Sequence, residues 1–150
     1  MLKIPYYKQE TPDDCGPASL QMVFEFLGKK ISQKELAQRL GTGATVWASN
    51  ERMEEIAREE GLSTFMQTSG TIEGLRKFLD KGIPVIVNFI EPEGDGHFAP
   101  VLGVTEKEII FNDPWHGEKY TLSLEYFVSH WRSFEGNREK WLLAISQSAL

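Results

Sequence analysis

The order of apolar and polar positions predicts helices in the first half of the chain and strands in the second. Residues 18–27 are apolar on nearly every side, which is typical of a buried helix, and Gly28 follows as its stop. Three shorter helices with one apolar stripe are predicted after it. They cover 33–40 behind the capping box at 32–35, 51–60 with Asn50 as its cap and Gly61 as its end, and 71–81 before Gly82.

From residue 83 the pattern changes to strands. Residues 83–90 are rich in β-branched side chains and indicate a buried strand, and 97–104 with 108–112 predict a hairpin. A strand at 118–122, a short helix at 123–131 and a strand at 140–146 complete the pattern, while 3–7 favours an edge strand or an extended arm. Helices followed by an antiparallel sheet indicate the α+β class, in a single domain spanning residues 1–150.

Composition removes several classes of function. The net charge of −6 gives no electrostatic reason to expect nucleic acid or an anionic membrane as a partner. The single cysteine excludes an internal disulfide and a cysteine-rich zinc site. The N-terminal residues contain no apolar stretch of signal-peptide length, and no segment is apolar enough to span a bilayer, so we expect a cytoplasmic chain.

The lone cysteine, Cys15, stands where the buried helix begins. Pro17 suits the first turn of a helix, and a thiol at the positive end of a helix dipole is more readily ionised. A lone cysteine is more often an inert part of the core, and Asp13 and Asp14 oppose ionisation unless Asp14 caps the helix. Cys15 is therefore a candidate nucleophile whose role depends on its partners.

Three histidines could pair with Cys15. His130 falls in the short late helix, where a surface or packing role is favoured, and His116 lies in a loop and could take either role. His97 begins a strand directly after a glycine-rich turn, at the rim of the sheet where side chains project into clefts. His97 is therefore the better candidate for the base.

The hairpin supplies a third candidate catalytic residue, a carboxylate that could orient His97, if its loop has three residues. With 105–107 as that loop, Val104 faces Glu108, and Asp113 lies on the same face of the sheet as His97. The two would be diagonal neighbours roughly 7–8 Å apart, within reach of an imidazole–carboxylate hydrogen bond. A two-residue loop would place Asp113 on the opposite face.

These residue types fit nucleophilic catalysis on an acyl carbon. A thiol needs a base, the base needs a group that orients it, and the developing oxyanion needs donors. Gln9, six residues before Cys15, offers a side-chain amide for that purpose, although an isolated glutamine is usually a surface residue.

At three places the sequence resembles the papain-like cysteine peptidases, and within them the bacteriocin-processing peptidases of double-glycine leaders and their stand-alone relatives. The resemblance rests on Gln9 with D-C-G-P-A-S-L-Q-M at 14–22, on G-H-F-A-P-V-L-G-V at 96–104, and on F-N-D-P-W-H-G at 111–117. It implies a papain-like fold with the cysteine on a helical half and the histidine and aspartate on a sheet half.

The resemblance also implies peptide hydrolysis through a thioester, with no metal or cofactor. Cys15 would be the nucleophile, His97 the base and then the acid, Asp113 the orienting group and Gln9 an oxyanion donor. The substrate would be a peptide or protein, with cleavage after Gly-Gly and association with a transporter as further expectations. The well-known members are fused to peptide-exporting transporters, whereas this chain contains no membrane segment or nucleotide-binding region.

Three alternatives remain open from the residues. A relative on the same fold could bind peptides without cleaving them, or it could transfer acyl groups. A metal site could also form from Asp95, His97, Asp113 and His116, which have suitable residue types but leave Cys15 unexplained. Trp47, Trp115 and Trp131 could line a cleft, although core packing is the usual role of a tryptophan.

Overall fold

The computed structural model describes residues 1–43, 45–134, 136 and 139–150. The predicted loop at 41–49 includes residue 44, which lies outside this range. The helices are α1 (Cys15–Phe26), α2 (Gln33–Leu40), α3 (Asn50–Glu59), α4 (Ile72–Asp80) and α5 (Leu124–His130). The strands are β1 (Ser63–Gln67), β2 (Val85–Ile90), β3 (Gly96–Val104), β4 (Glu108–Asp113), β5 (Gly117–Ser123) and β6 (Leu142–Ser146).

The six strands form one antiparallel sheet in the order β1-β6-β2-β3-β4-β5. One apolar cluster joins α1, α2 and α3 to the sheet, and another joins α4 and α5 to alternate residues of the same strands. Because side chains alternate between the two faces of a strand, both faces of the central strands are covered. This arrangement confirms the α+β class.

None of the helices in the described parts of the chain combines the length with the apolar character that a membrane crossing requires.

Helix α1 begins at Cys15, as its sequence predicts, and is buried along most of its length. Asp14 occupies the N-cap position, but its side chain makes no capping hydrogen bond. Instead its Oδ1 accepts a hydrogen bond of 3.0 Å from the hydroxyl of Thr42. Capping of the helix by the Asp14 side chain, which the sequence left open, is therefore not observed, because the loop after α2 engages the carboxylate.

The caps of the other helices follow local sequence closely. Ser32, Thr71 and Ser123 each accept a hydrogen bond from a backbone N–H in the first turn of the helix that follows. The cap of α3 is Ser49, not Asn50 as predicted. Its hydroxyl accepts from the Arg52 N–H at 3.0 Å, and Asn50 becomes the first helical residue. Two adjacent residues of capping type make that choice ambiguous from sequence.

The turn between β3 and β4 differs from the predicted register. Val104 pairs with Ile109 rather than facing Glu108. The N–H of Thr105 donates to the carbonyl of Glu108 at 2.8 Å, which closes a two-residue turn at 106–107 in place of the predicted three-residue loop. A change of one residue alone would reverse the face on which every following side chain lies.

A bulge in β3 cancels that change before the strands reach their other end. The register shifts between Val101 and Gly103, and Val101 pairs with Phe111. A bulge sets two residues of one strand against one residue of its partner, so the original parity returns beyond it. Side chains at the far ends of the hairpin therefore alternate as the sequence predicts.

Two segments at the margins complete the fold. The N-terminal residues form an extended arm rather than a strand. At the end of β4, the backbone carbonyl of Asp113 accepts a hydrogen bond from the Tyr6 hydroxyl, and the side-chain amide of Asn112 donates one to the Ile4 carbonyl. Strand β1 has no counterpart in the sequence prediction. It is an edge strand that pairs only with β6 among the described strands.

Candidate active site

Cys15 lies in the first turn of α1, and 8% of its surface is exposed. Its position depends on Gly16, which lies so close to the loop before α3 that an added Cβ would stand 2.6 Å from the Cβ of Ala48. Contacts this short do not occur between real side chains, so the glycine allows the loop to lie against the start of α1. The loop then forms one wall beside the thiol.

We expect Gly16→Ala to destabilise the fold by about 1–3 kcal/mol, because the added methyl group overpacks the contact with Ala48. Ala48→Gly in the same chain should restore most of the loss, since it removes the atom that the new Cβ meets. Urea denaturation of both variants, with Ala48→Gly alone as the control, measures the effect. Equal stability of wild type and Gly16→Ala would contradict the close contact.

His97, at the beginning of β3, and Asp113, at the end of β4, form a buried pair. The Nε2 of His97 lies 2.7 Å from Oδ1 of Asp113, and the Asp113 side chain is fully buried. The same carboxylate oxygen accepts the N–H groups of Trp115 and His116, each at 2.9 Å. The turn after β4 therefore holds the carboxylate in place, and the carboxylate orients the imidazole.

Cys15 and His97 line the same two pockets, and the thiol lies close enough to the imidazole to raise the pKa of His97. Because Asp113 engages Nε2, the remaining ring nitrogen, Nδ1, is the one available to the thiol. The structure thus brings Cys15, His97 and Asp113 together in that order. This is the order of groups that activates a nucleophile through an oriented base.

The electrostatics of the pair favour a charged imidazole. Burial alone would lower the pKa of His97, but the hydrogen bonds to Asp113 and Cys15 and their charges outweigh it and raise the pKa to about 10. For Asp113, burial raises the pKa, but the hydrogen bond and charge of His97 and the two backbone N–H groups lower it by more. The net shift of the Asp113 pKa is therefore downward. The arrangement therefore stabilises an imidazolium beside the sulfur and a carboxylate behind it.

Gln9, which belongs to the N-terminal arm, lies beside the groups formed by Cys15, His97 and Asp113. Its backbone N–H donates to the Pro114 carbonyl at 2.9 Å, and its side-chain amide donates to the Thr11 carbonyl at 2.8 Å. Gln9 lines a pocket together with Cys15 and His97. The N–H groups of the first turn of α1 have no intrahelical acceptors and lie nearby.

Asp13 is engaged by the loop after α2. Its carboxylate accepts hydrogen bonds from the indole N–H of Trp47 at 3.0 Å and from the Thr45 N–H at 3.2 Å. Together with the bond between Thr42 and Asp14, these contacts use the two acids that precede Cys15 to hold the loop against α1.

Two adjoining pockets of about 390 and 300 Å³ form a groove across the site, and Cys15, Trp47, Gly96 and His97 line both. One arm extends to Phe134, whose ring meets that of Trp47 edge to face with centroids 6.4 Å apart. Although this arm has the larger volume, the contact between Trp47 and Phe134 constricts it, and we call it the narrow arm. The other arm extends to Gln9, Glu91 and Trp115 and is here named the acidic arm.

The three tryptophans that could line a cleft take different places. Trp47 and Trp115 are exposed at 45% and 48% and line the groove. Trp131 is buried in the core below α5, and its indole N–H donates to the carbonyl of Trp141 at 2.8 Å. Phe134, which lines the narrow arm, was not predicted because its position depends on the return of the chain after α5.

The two other histidines, His116 and His130, lie in different parts of the structure. His116 stacks on Tyr120 and contacts Glu93 at 3.0 Å, close to His97, whereas His130 stacks on Tyr126 away from the groove. Two members of the metal set that the sequence left open, Asp95 and Asp113, do not belong to the group that the structure brings together. Among the described residues, the group whose ligand atoms converge contains Glu91, His97 and His116.

Glu91 is the group in this site that the sequence analysis missed. It follows β2 directly and is 6% exposed, because the tight turn to Asp95 folds its side chain inward. Burial raises its pKa, and the positive charges of His97 and His116 oppose that rise. Its place directly after a buried strand was the available signal.

Comparison with known proteins is consistent with this geometry. The model of the Peptidase_C39 like family matches residues 1–139. The peptidase domain of Streptococcus ComA, a bifunctional ABC transporter of a quorum-sensing pathway, is similar with a TM-score of 0.76 and 24% identity, over 95% of this chain and 97% of that one. No curated protein sequence matches significantly.

Two further solved structures share the fold. A double-glycine-motif protease from an AMS/PCAT transporter, determined with its leader peptide, matches with a TM-score of 0.76 and 23% identity, over 97% of this chain and 93% of that one. A C39-like peptidase from Bacillus anthracis matches with a TM-score of 0.79 and 14% identity, over 99% and 96%.

Proposed function

The chain belongs to the Peptidase_C39 like family, and from that premise we propose that residues 1–150 form one cysteine peptidase domain that cleaves a peptide through a thioester. The observation that carries the proposal is that Cys15 and His97 line one groove, with Asp113 hydrogen-bonded to the imidazole from behind. The fold and the family are those of C39 peptidases.

In the proposed mechanism, His97 holds the proton of the Cys15 thiol, and the sulfur attacks the carbonyl carbon of the scissile bond. The oxyanion accepts hydrogen bonds from the Gln9 amide and from the N–H groups at the start of α1. The imidazolium then gives its proton to the leaving amine, leaving a thioester. A water molecule, deprotonated by His97, releases the acid and restores the thiol.

We further propose that the substrate is a leader peptide cut after Gly-Gly and that the two glycines occupy the narrow arm. Trp47 and Phe134 approach each other there, and Gly96 lies so close to Phe134 that a Cβ on Gly96 would stand 2.9 Å from the Cβ of Phe134. We expect the constriction formed by these residues to admit the backbone of glycine and to exclude large side chains. The similar protease from the AMS/PCAT transporter is a double-glycine-motif protease.

In a peptide substrate, the second glycine of the Gly-Gly pair directly precedes the scissile bond. Replacing it with leucine is expected to lower kcat/KM by about a hundredfold, because the leucine side chain collides with the walls of the narrow arm. Mass spectrometry of paired peptides measures the ratio. Phe134→Ala should reduce the difference by widening that arm, whereas Trp115→Ala, on the acidic arm, should leave it unchanged. Equal cleavage of both peptides by the wild type would contradict the Gly-Gly assignment.

Alkylation distinguishes a peptidase from a relative that only binds peptides. At neutral pH we expect His97→Ala to slow the reaction of Cys15 with iodoacetamide by about tenfold or more, because the thiolate loses its positive partner. His130→Ala removes a histidine away from the groove and should leave the rate unchanged. Equal rates in wild type and His97→Ala would instead favour the peptide-binding alternative.

A further inference from the structure

We propose that Glu91, His97 and His116 form a binding site for a divalent metal ion of the zinc class, and that the bound ion switches the peptidase off. The inhibitory consequence rests on the proposed function, whereas the binding does not. The site uses residues of the acidic arm, with His97 as the member shared with the catalytic groups.

The three side chains place suitable donors around one point. One ligand atom of each lies within 4.8 Å of those of the other two. Oε2 of Glu91 is 3.8 Å from Nδ1 of His97 and 3.9 Å from Nε2 of His116. Ligands of a tetrahedral zinc ion with bonds of about 2.0–2.1 Å stand about 3.4 Å apart, so small side-chain rotations close the set.

Asp113 lies behind both imidazoles and forms a hydrogen bond with that of His97. Its Oδ1 binds Nε2 of His97 at 2.7 Å, and its Oδ2 lies 3.2 Å from Nδ1 of His116. Each ring therefore turns its other nitrogen toward Glu91. A carboxylate behind a histidine ligand is a recurrent feature of zinc sites, where it fixes the ring orientation and makes the free nitrogen a better ligand.

The buried carboxylate of Glu91 is a second and independent indication. Its side chain is 7% exposed, and its Oε2 makes no hydrogen bond to any part of the chain that the structure describes. A buried carboxylate oxygen without a partner is costly, and a cation between the two imidazoles would satisfy it. The ion would take the position at Nε2 of His116 that the exposed Glu93 now contacts at 3.0 Å.

Metal binding and catalysis would compete for one atom. Binding of the ion displaces the protons that the ring nitrogens carry. Once Nδ1 of His97 holds the metal, it can neither take the proton of the Cys15 thiol nor return one to the leaving amine. An open coordination position would face the pocket that Cys15 also lines. The ion therefore blocks the base without occupying the narrow arm.

The test is calorimetric titration of the full chain with zinc chloride, using Cys15→Ala as the background so that the thiol is not a ligand. We expect one ion per chain, and Glu91→Gln and His116→Gln should each weaken binding at least about tenfold. His130→Gln and Glu93→Gln are the matched controls and should retain the affinity. Cobalt(II) titration of the unsubstituted chain gives a readout that requires no variant, namely the intense visible absorption of a four-coordinate site.

In a peptide-cleavage assay, zinc should inhibit the wild type, and His116→Gln should need at least about tenfold more zinc for the same inhibition. The proposal is overturned if zinc fails to bind, if Glu91→Gln binds as tightly as its background, or if Glu93→Gln and His130→Gln lose affinity equally. A chain that binds zinc as expected but cleaves no peptide would overturn the proposed function and leave the metal site standing.

Discussion

Cys15→Ala is expected to reduce peptide cleavage by about 10⁴-fold or more while leaving the fold intact. The sulfur is the atom that forms the thioester, and alanine offers no substitute for it. The change removes one atom from the buried first turn of α1, where the surrounding backbone is held by other contacts. Mass spectrometry of a Gly-Gly peptide measures turnover, and thermal unfolding monitors the fold.

Ser19→Ala is the matched control for this prediction. Ser19 lies one turn later on α1, is fully buried, and loses a single side-chain atom in the same way. It should keep wild-type turnover, which would separate the loss of the nucleophile from a general disturbance of the helix. Turnover by Cys15→Ala at the wild-type rate would show that the cysteine is not the nucleophile.

Local sequence was sufficient where local physics decides the structure. The apolar run with Pro17 near its start placed α1 and Cys15 correctly, and Ser32, Thr71 and Ser123 marked the starts of their helices. Each of these choices depends on neighbours within four residues. The two adjacent candidates at Ser49 and Asn50 show the limit, because local preference does not rank them.

In the hairpin, the predicted pairing of His97 with Asp113 is correct although the predicted loop length is wrong. The predicted loop length was wrong by one residue, yet the bulge between Val101 and Gly103 restored the parity, and His97 meets Asp113. Alternation along a strand can be read from sequence, but a bulge depends on how the strand bends over α1 and α4.

Features set by distant partners could not be predicted. Strand β1 is short, partly exposed and polar, and it exists because β6, almost eighty residues later, offers it an edge. Glu91 looks like an ordinary loop residue, and only the tertiary fold buries it between His97 and His116. A single sequence carries a weak signal for either.

Asp113→Ala is expected to lower kcat by about 10³–10⁴-fold with little change in KM, because His97 loses the group that orients it toward Cys15. It should also destabilise the fold by several kcal/mol, since the N–H groups of Trp115 and His116 each lose a buried acceptor at a cost of about 1–3 kcal/mol. Steady-state kinetics and urea denaturation measure the two effects.

Asp113→Asn separates orientation from charge. The two backbone N–H groups point at Oδ1, so they will hold an amide oxygen there and turn the NH₂ group away. That oxygen can still accept from Nε2 of His97, which keeps the proton on Nε2 and leaves Nδ1 for the thiol. We therefore expect Asp113→Asn to retain about one-tenth of the wild-type activity, because a neutral hydrogen bond replaces a charged one. An asparagine variant as inactive as alanine would show that the negative charge, rather than the orientation of His97, is what catalysis requires of Asp113.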